Sequence, residues 1–240
     1  MSETRNAAWL PAAIVAVGIA AAGYFVGQTL YNSNAGINTA DVKGLAERRV
    51  EADRAYWVIQ YTVSGENKDA IPALYEKSKS DQSTIVAVLR EVGFEPDEVS
   101  PGVVDYNRQE FRDDNQKLVD EKYVLTGSIE VETQKVRLVS TARAKLNELI
   151  AVGIDIRNNS PSYYFTSLND IKPEMLKEAT TNARLAANEF ASNAGVSVGG
   201  IRSAVQGGFI IRDVGENYSD TQKIEKDVRV VTTITFYLTE

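Results

Sequence analysis

No charged residue occurs between Arg5 and Asp41, and within that run residues 7–26 are apolar enough, and long enough, to cross a bilayer once as a helix. A span takes about 20 predominantly apolar residues at a rise near 1.5 Å each. Trp9, Tyr24 and Tyr31 stand where interfacial aromatics usually sit. A cleaved signal peptide is the competing reading. The apolar stretch exceeds the roughly 7–15 residues of a secretory h-region, and the leading MSETRN is barely basic because Glu3 offsets Arg5. Small residues at 20–22 and 33–35 do offer signal-peptidase sites. The balance favours an uncleaved anchor over residues 1–31, a small polar tether over 32–40 (NSNAGINTA) and a folded body over 41–240.

The body carries the whole net charge of −7, and its acidic, unpatterned balance gives no footprint for nucleic acid. The chain contains neither Cys nor His. Disulfides, thiolate nucleophiles, Ser-His-Asp chemistry and Cys/His zinc sites are thereby excluded from its own residues. The side chain most used as a general acid or base near neutral pH is missing too.

Periodicity predicts the elements of the body. Residues 42–52 and 54–64 read as two paired strands, the second with large side chains on both faces, hence central or covered on both sides. Residues 67–92 form a helical stripe closed by Gly93, with Pro72 in its first turn. Extended chain returns through Val99, Val103 and Tyr106. An acidic, Asn- and Gln-rich loop then leads to a strand over 123–132, whose one-sided alternation predicts an antiparallel sheet with one solvated face. A second helix covers 136–152, with Gly153 as its stop, and 154–166 is extended. A third helix covers 171–194 and is closed by Gly195, with Met175, Ala179, Ala183, Ala186, Ala187, Phe190 and Ala194 as its inner stripe. Strands over 200–211 and 228–238 end the chain, and the second is the candidate for the exposed sheet edge or for the contact adjoining it. The order predicts an α+β body of mainly antiparallel sheet with packed helices.

Candidate chemistry is sparse. Asp105, Glu110, Asp113, Asp114, Asp120 and Glu121 could supply oxygens to calcium, but basic residues interrupt them and no EF-hand spacing is present. A carboxylate pair drawn from Asp105, Glu110, Asp120 or Glu121 could in principle perform acid/base hydrolysis without His. Asp213, Glu216 and Asp220 form a second acidic group. Both groups read as solvated loops. Gly207-Gly208 lacks the strand, loop and Lys-Ser/Thr context of a phosphate site and reads as a bend. Gly23 and Gly27 form a small-residue ridge in the apolar run that would let two such helices pack closely. No catalytic, cofactor or metal residue is assigned.

One set of spacings is more specific. Gly44, Ala46, Val50, Ala52, Asp53 and Ala55 lie at the places of a G-x-G-x-x-x-V-x-P-D-x-A opening, with Ala46 for the second Gly and Ala52 for the Pro. Ala179, Ala183, Arg184, Ala187, Ala191 and Gly195 match A-x-x-x-A-R-x-x-A-x-x-x-A-x-x-x-G. In this order the chain resembles the SIMPL-domain family (DUF541), bacterial envelope proteins related to the Brucella outer-membrane antigen, over about residues 42–239. The resemblance implies an α+β body whose second half is plait-like, a bacterial inner-membrane anchor with a periplasmic body, homo-oligomers and a loose link to envelope stress. It carries no catalytic residues. The function expected is therefore a non-enzymatic, self-assembling envelope scaffold or stress factor. The alternative is a binding module for a small ligand, a peptide or an envelope protein partner.

Overall fold

The structure is a computed structural model that describes residues 9–34 and 38–239. The first element, α1, is the helix Trp9–Asn34, and the first strand, β1, spans Thr39–Glu51. Residues 35–37 of the expected tether lie outside the described residues. The elements that follow are β2 (Arg54–Gly65), a 3-10 turn (Lys68–Ala70), α2 (Ile71–Val92), β3 (Val99–Arg112), β4 (Leu118–Thr133), α3 (Leu138–Ala151), β5 (Asp155–Asn158), β6 (Ser162–Tyr164), α4 (Leu168–Ala194), β7 (Ser197–Gln206), β8 (Ile210–Asp213) and β9 (Glu225–Thr239). The chain is mixed α+β, as its sequence predicts. It forms two compact units, one from residues 1–46, 176–208 and 230–240, the other from 47–175 and 209–229.

The larger unit is built on the sheet order β3-β4-β2-β5, with β6 also pairing β2. β2 and β4 pair antiparallel from Ala55↔Thr133 to Gly65↔Tyr123, so β2 is central, as expected. Its odd-numbered side chains, Ala55, Trp57, Ile59, Tyr61 and Val63, are buried. The first four of these meet Ile85 and Leu89 of α2 and Val139, Ala142 and Leu146 of α3 in one core. The even-numbered positions remain half-exposed or exposed, which gives the one-sided alternation of an antiparallel sheet. Trp57 tethers this core to the next strand connection by donating Nε1–H to the Asn159 carbonyl at 2.9 Å. Gly127 is opposite Tyr61, and a Cβ there would lie 2.1 Å from the tyrosine ring, so the ring occupies the space a side chain would need.

The smaller unit has β9 between β1 and β7, with α4 packed on the sheet. Leu238 N–H donates to the Asn38 carbonyl at 2.8 Å and Thr235 hydroxyl to Asp41 at 2.5 Å, so β1 and β9 run in opposite directions. Ala183 and Ala187 meet Ile234 and Phe236. The helix comes this close because Gly44 has no side chain: a Cβ there would lie 1.8 Å from the Ala179 carbonyl oxygen. Asn182 then donates from Nδ2 to the Leu45 carbonyl at 2.8 Å.

Four expectations are corrected. β1 and β2 do not pair with one another: they belong to different sheets, β1 joining the last strand of the chain. The acidic stretch after Tyr106 is not a loop but the end of a long β3–β4 hairpin, paired as far as Arg112↔Leu118. Its turn is short, with Asp113 Oδ1 accepting the N–H groups of Asn115 and Lys117, both at 2.9 Å. β9 is internal, not an edge, because β1 lies on one side and β7 and β8 on the other. In α4 the buried line is Met175, Ala179, Ala183, Ala187 and Ala191, a strict four-residue step, whereas Phe190 and Ala194 are exposed.

Candidate functional site

The feature with the clearest physical consequence is α1. Its stretch Pro11–Leu30 is apolar on every side, and none of it is buried. Gly23 and Gly27 lie one turn apart on it, and a Cβ at either would meet nothing. A helix apolar all round requires an apolar surrounding, and its length suits a bilayer.

The body offers three groupings of charge. The first lines a cavity of about 480 Å³ with Arg54, Glu95, Asp97, Glu98, Glu132 and Lys135 among its walls. Lys135 donates to the Gly93 carbonyl at 2.8 Å and to Glu98 at 3.0 Å, and Arg54 pairs with Glu132 at 2.8 Å. Burial pushes the Glu98 carboxyl up, but the Thr133 hydroxyl, the Glu95 N–H and Lys135 together hold it below the usual carboxylate value. Glu98 in turn holds the Lys135 ammonium above its usual value. Through these bonds the cluster stitches the end of α2 to the β4–α3 turn.

The second grouping tests the carboxylates singled out in the sequence. The hairpin makes Glu110 and Glu121 cross-strand partners, while Asp105 and Asp120 oppose Thr126 and Phe111. Strand alternation therefore places Glu110 and Glu121 on one face and Asp105 and Asp120 on the other. Arg108 bridges Glu110 and Glu121 at 2.7 and 3.0 Å, and Arg112 holds Glu110 at 2.5 Å. Arg112 and Arg108 hold the Glu110 carboxyl below its usual value. A general acid needs the opposite shift, so this pair is a charge ladder suited to stiffening the hairpin. Among the described residues no three His, Cys, Asp or Glu side chains converge to hold a metal ion.

The third grouping was not legible as a site. Asp213 and Lys226, register partners on β8 and β9, form an ion pair at 2.5 Å with both side chains fully buried. This corrects the expectation that Asp213 lies in a solvated loop. Asp213 also accepts the Ser219 hydroxyl at 2.6 Å and the Gln222 N–H at 2.8 Å, and Lys226 donates to the Asp220 carbonyl at 2.8 Å. Burial disfavours the charge, yet Lys226, Ser219 and the N–H groups of Gln222 and Lys223 hold the Asp213 carboxyl down to about 2. The pair thus closes the loop between β8 and β9. That loop is laid against its neighbours by Tyr163 N–H donating to the Thr221 carbonyl and Ala52 N–H to the Ile224 carbonyl, both at 2.7 Å. A signal was present: Lys226 falls in the inward phase of β9, two residues before Val228.

Other singled-out residues are structural. Asp53 accepts the Thr166 N–H and the Ser167 N–H, both at 2.8 Å, and so holds the chain immediately before α4. Gly207 falls in the break between β7 and β8, where the sequence predicts one continuous strand: its N–H donates to the Val231 carbonyl at 2.9 Å, and a Cβ would lie 2.6 Å from that same oxygen. Gly195 ends α4 with φ +72°.

Comparison with known proteins returns one family. Residues 40–236 match SIMPL, described as a protein of unknown function (DUF541). No curated protein matches the chain. The match covers the strand opening at Gly44, both sheets and the alanine line of α4, which are the features that carry the resemblance, and the chain belongs to the SIMPL family.

Proposed function

We propose that this chain is a single-pass, N-terminally anchored protein of the bacterial inner membrane whose SIMPL body lies in the periplasm and acts by self-assembly, not by chemistry, as an envelope scaffold or stress-related factor. The observation that carries the reading is α1, a helix apolar on every side with no part of Pro11–Leu30 buried. The arrangement of charge in the body supports the second half of the reading. Glu98, Glu110 and Asp213 are each held by a basic partner, which supports a structural role for these carboxylates. The family resemblance is what supports a periplasmic body, because the positive-inside count is nearly even.

Alkaline carbonate extraction of membranes from cells expressing the full chain tests the anchor, and protease protection in spheroplasts tests the side on which the body lies. The expected result is a carbonate-resistant, full-length protein whose body is digested only from the outer side. An intact mass that begins after residue 22 or 35 shows cleavage and removes the anchor. Light scattering on the detergent-purified chain tests assembly, and a single-chain mass refutes it.

A further inference from the structure

We infer that the chain self-assembles through the outer edge of β3, two copies pairing antiparallel about a two-fold axis at Gln109. This rests on the self-assembly reading and names its contact. β3 is the last strand of its sheet, so among the described residues no strand lies beside its outer edge. Edges of this kind invite another strand, and folded proteins commonly blunt them with proline, lysine or a bulge. Here Pro101 and a bulge before Val104 blunt only the beginning. From Val104↔Gly127 to Phe111↔Asp120 the register with β4 is unbroken, and residues 104–111 contain no proline or lysine. The far part of the strand also lacks support from its own sheet. β2 ends opposite Tyr123, whose β3 partner is Arg108, so residues 109–112 and their β4 partners pair only with each other. A two-stranded ribbon is marginally stable alone, and joining two such edges at a dyad makes it four strands wide.

The charges along this edge specify a second copy as the occupant. In an antiparallel pair about a two-fold axis normal to the sheet, directly opposite residues share a face. With Gln109 on the axis, Arg108 of each copy stands opposite Glu110 of the other, Tyr106 opposite Arg112, and Asn107 opposite Phe111. Two opposite-charge pairs and two ring–guanidinium contacts then form, all at positions exposed in the single chain. Glu110 gains most. It already faces Glu121 across the hairpin, with Arg108 of its own copy bridging the two at 2.7 and 3.0 Å, and the second Arg108 arrives directly on its other side. Neighbouring registers do worse. An axis at Arg108 or Glu110 sets that residue against its own copy, like charge on like. An axis at Asn107 sets no opposite charges together, and one at Phe111 leaves only residues 110–112 of the strand to pair. In the Gln109 register the one like-charge pairing, Asp105 with Asp113, falls past Arg112, where β3 ends.

The chain has no cysteine, so single thiols report this register. Full-length chains carrying Gln109→Cys, Asn107→Cys or Phe111→Cys, all at exposed positions, are oxidised in detergent. Gln109→Cys should form a disulfide-linked dimer by itself. Asn107→Cys and Phe111→Cys should link to each other when mixed and at least about tenfold less each to itself, because four residues of strand, about 13 Å, then separate like thiols. Charge is tested in the Gln109→Cys background. Arg108→Glu alone and Glu110→Arg alone should each cut the dimer yield at least about tenfold, whereas mixing the two variants should restore it, since every opposed pair is again of opposite sign. A role confined to one copy's hairpin would not be rescued by mixing. Self-linking of Asn107→Cys as ready as that of Gln109→Cys, no rescue on mixing, or no link while light scattering still shows an assembly overturns the β3 contact and leaves self-assembly standing. A single-chain mass for the unmodified protein refutes both.

Discussion

At the scale of single residues, stability turns on groups with no room or no water. The Asp213 carboxyl, ordinarily near 3.8, is held to about 2 in the folded protein. A depressed folded value means the group stabilises the fold at pH above the unfolded value and loses that contribution as pH falls from about 4 towards 2. The shift corresponds to roughly 2 kcal/mol. Urea unfolding at pH 7 and pH 2.5 should therefore show a stability gap between the native chain and Asp213→Asn that is wide at the higher pH and largely closed at the lower. A gap equal at both would show that the carboxylate contributes through shape alone. Lys226→Met is the harsher change, because it strands a buried carboxylate, and should cost about 3–5 kcal/mol. Gly44→Ala tests space instead of charge. With the new Cβ placed 1.8 Å from the Ala179 oxygen, helix and strand must separate. Overpacking of this kind costs about 1–3 kcal/mol or more, read as a lower melting temperature.

At the scale of elements, α4 shows how a helix is fixed by its neighbours. Its buried line repeats every four residues and is alanine from 179 to 191, so methylenes added there have nowhere to go. Ala183→Leu or Ala187→Leu should lower the melting temperature by several degrees, on the scale of about 2–4 °C per kcal/mol for a body of this size. Phe190→Ser, a larger chemical change at a position 56 % exposed, should leave it nearly unmoved. A reversal of that order would place the wrong side of α4 against the sheet. The start of the same helix depends on Asp53, whose carboxylate accepts the N–H groups and a hydroxyl of the two residues before it. Removing such a cap by Asp53→Ala should cost about 0.5–2 kcal/mol.

At the scale of the whole molecule, the decisive variable is where α1 finds its apolar surroundings. Val17 is near the middle of Pro11–Leu30 and is exposed. Val17→Arg puts a charge there at a cost of about 2.5–3.5 kcal/mol for insertion. The variant should shift from the carbonate-resistant pellet towards the supernatant, while a body melting temperature unlike that of the native chain would show that α1 also stabilises the fold.

Sequence alone determined the local features. The uncharged run predicts α1, and the stops at Gly93, Gly153 and Gly195 take the positive φ values of helix ends. The one-sided alternation of residues 123–132 in β4 also selects the face that is buried. These features are legible because they depend on spacing within one segment. Tertiary structure decided which segments meet. Proximity along the chain suggests pairing β1 with β2, yet β1 pairs with β9, nearly 200 residues away, because Gly44 gives β1 a side that α4 can approach. The acidic stretch after Tyr106 has a loop's composition, but strand pairing as far as Arg112↔Leu118 and the cross-strand bridge from Arg108 to Glu121 hold it as a ribbon. Asp213 reads as one more surface acid until Lys226, thirteen residues on, is brought opposite it across β8 and β9. In each case the energy comes from a partner distant in sequence, which no local pattern encodes.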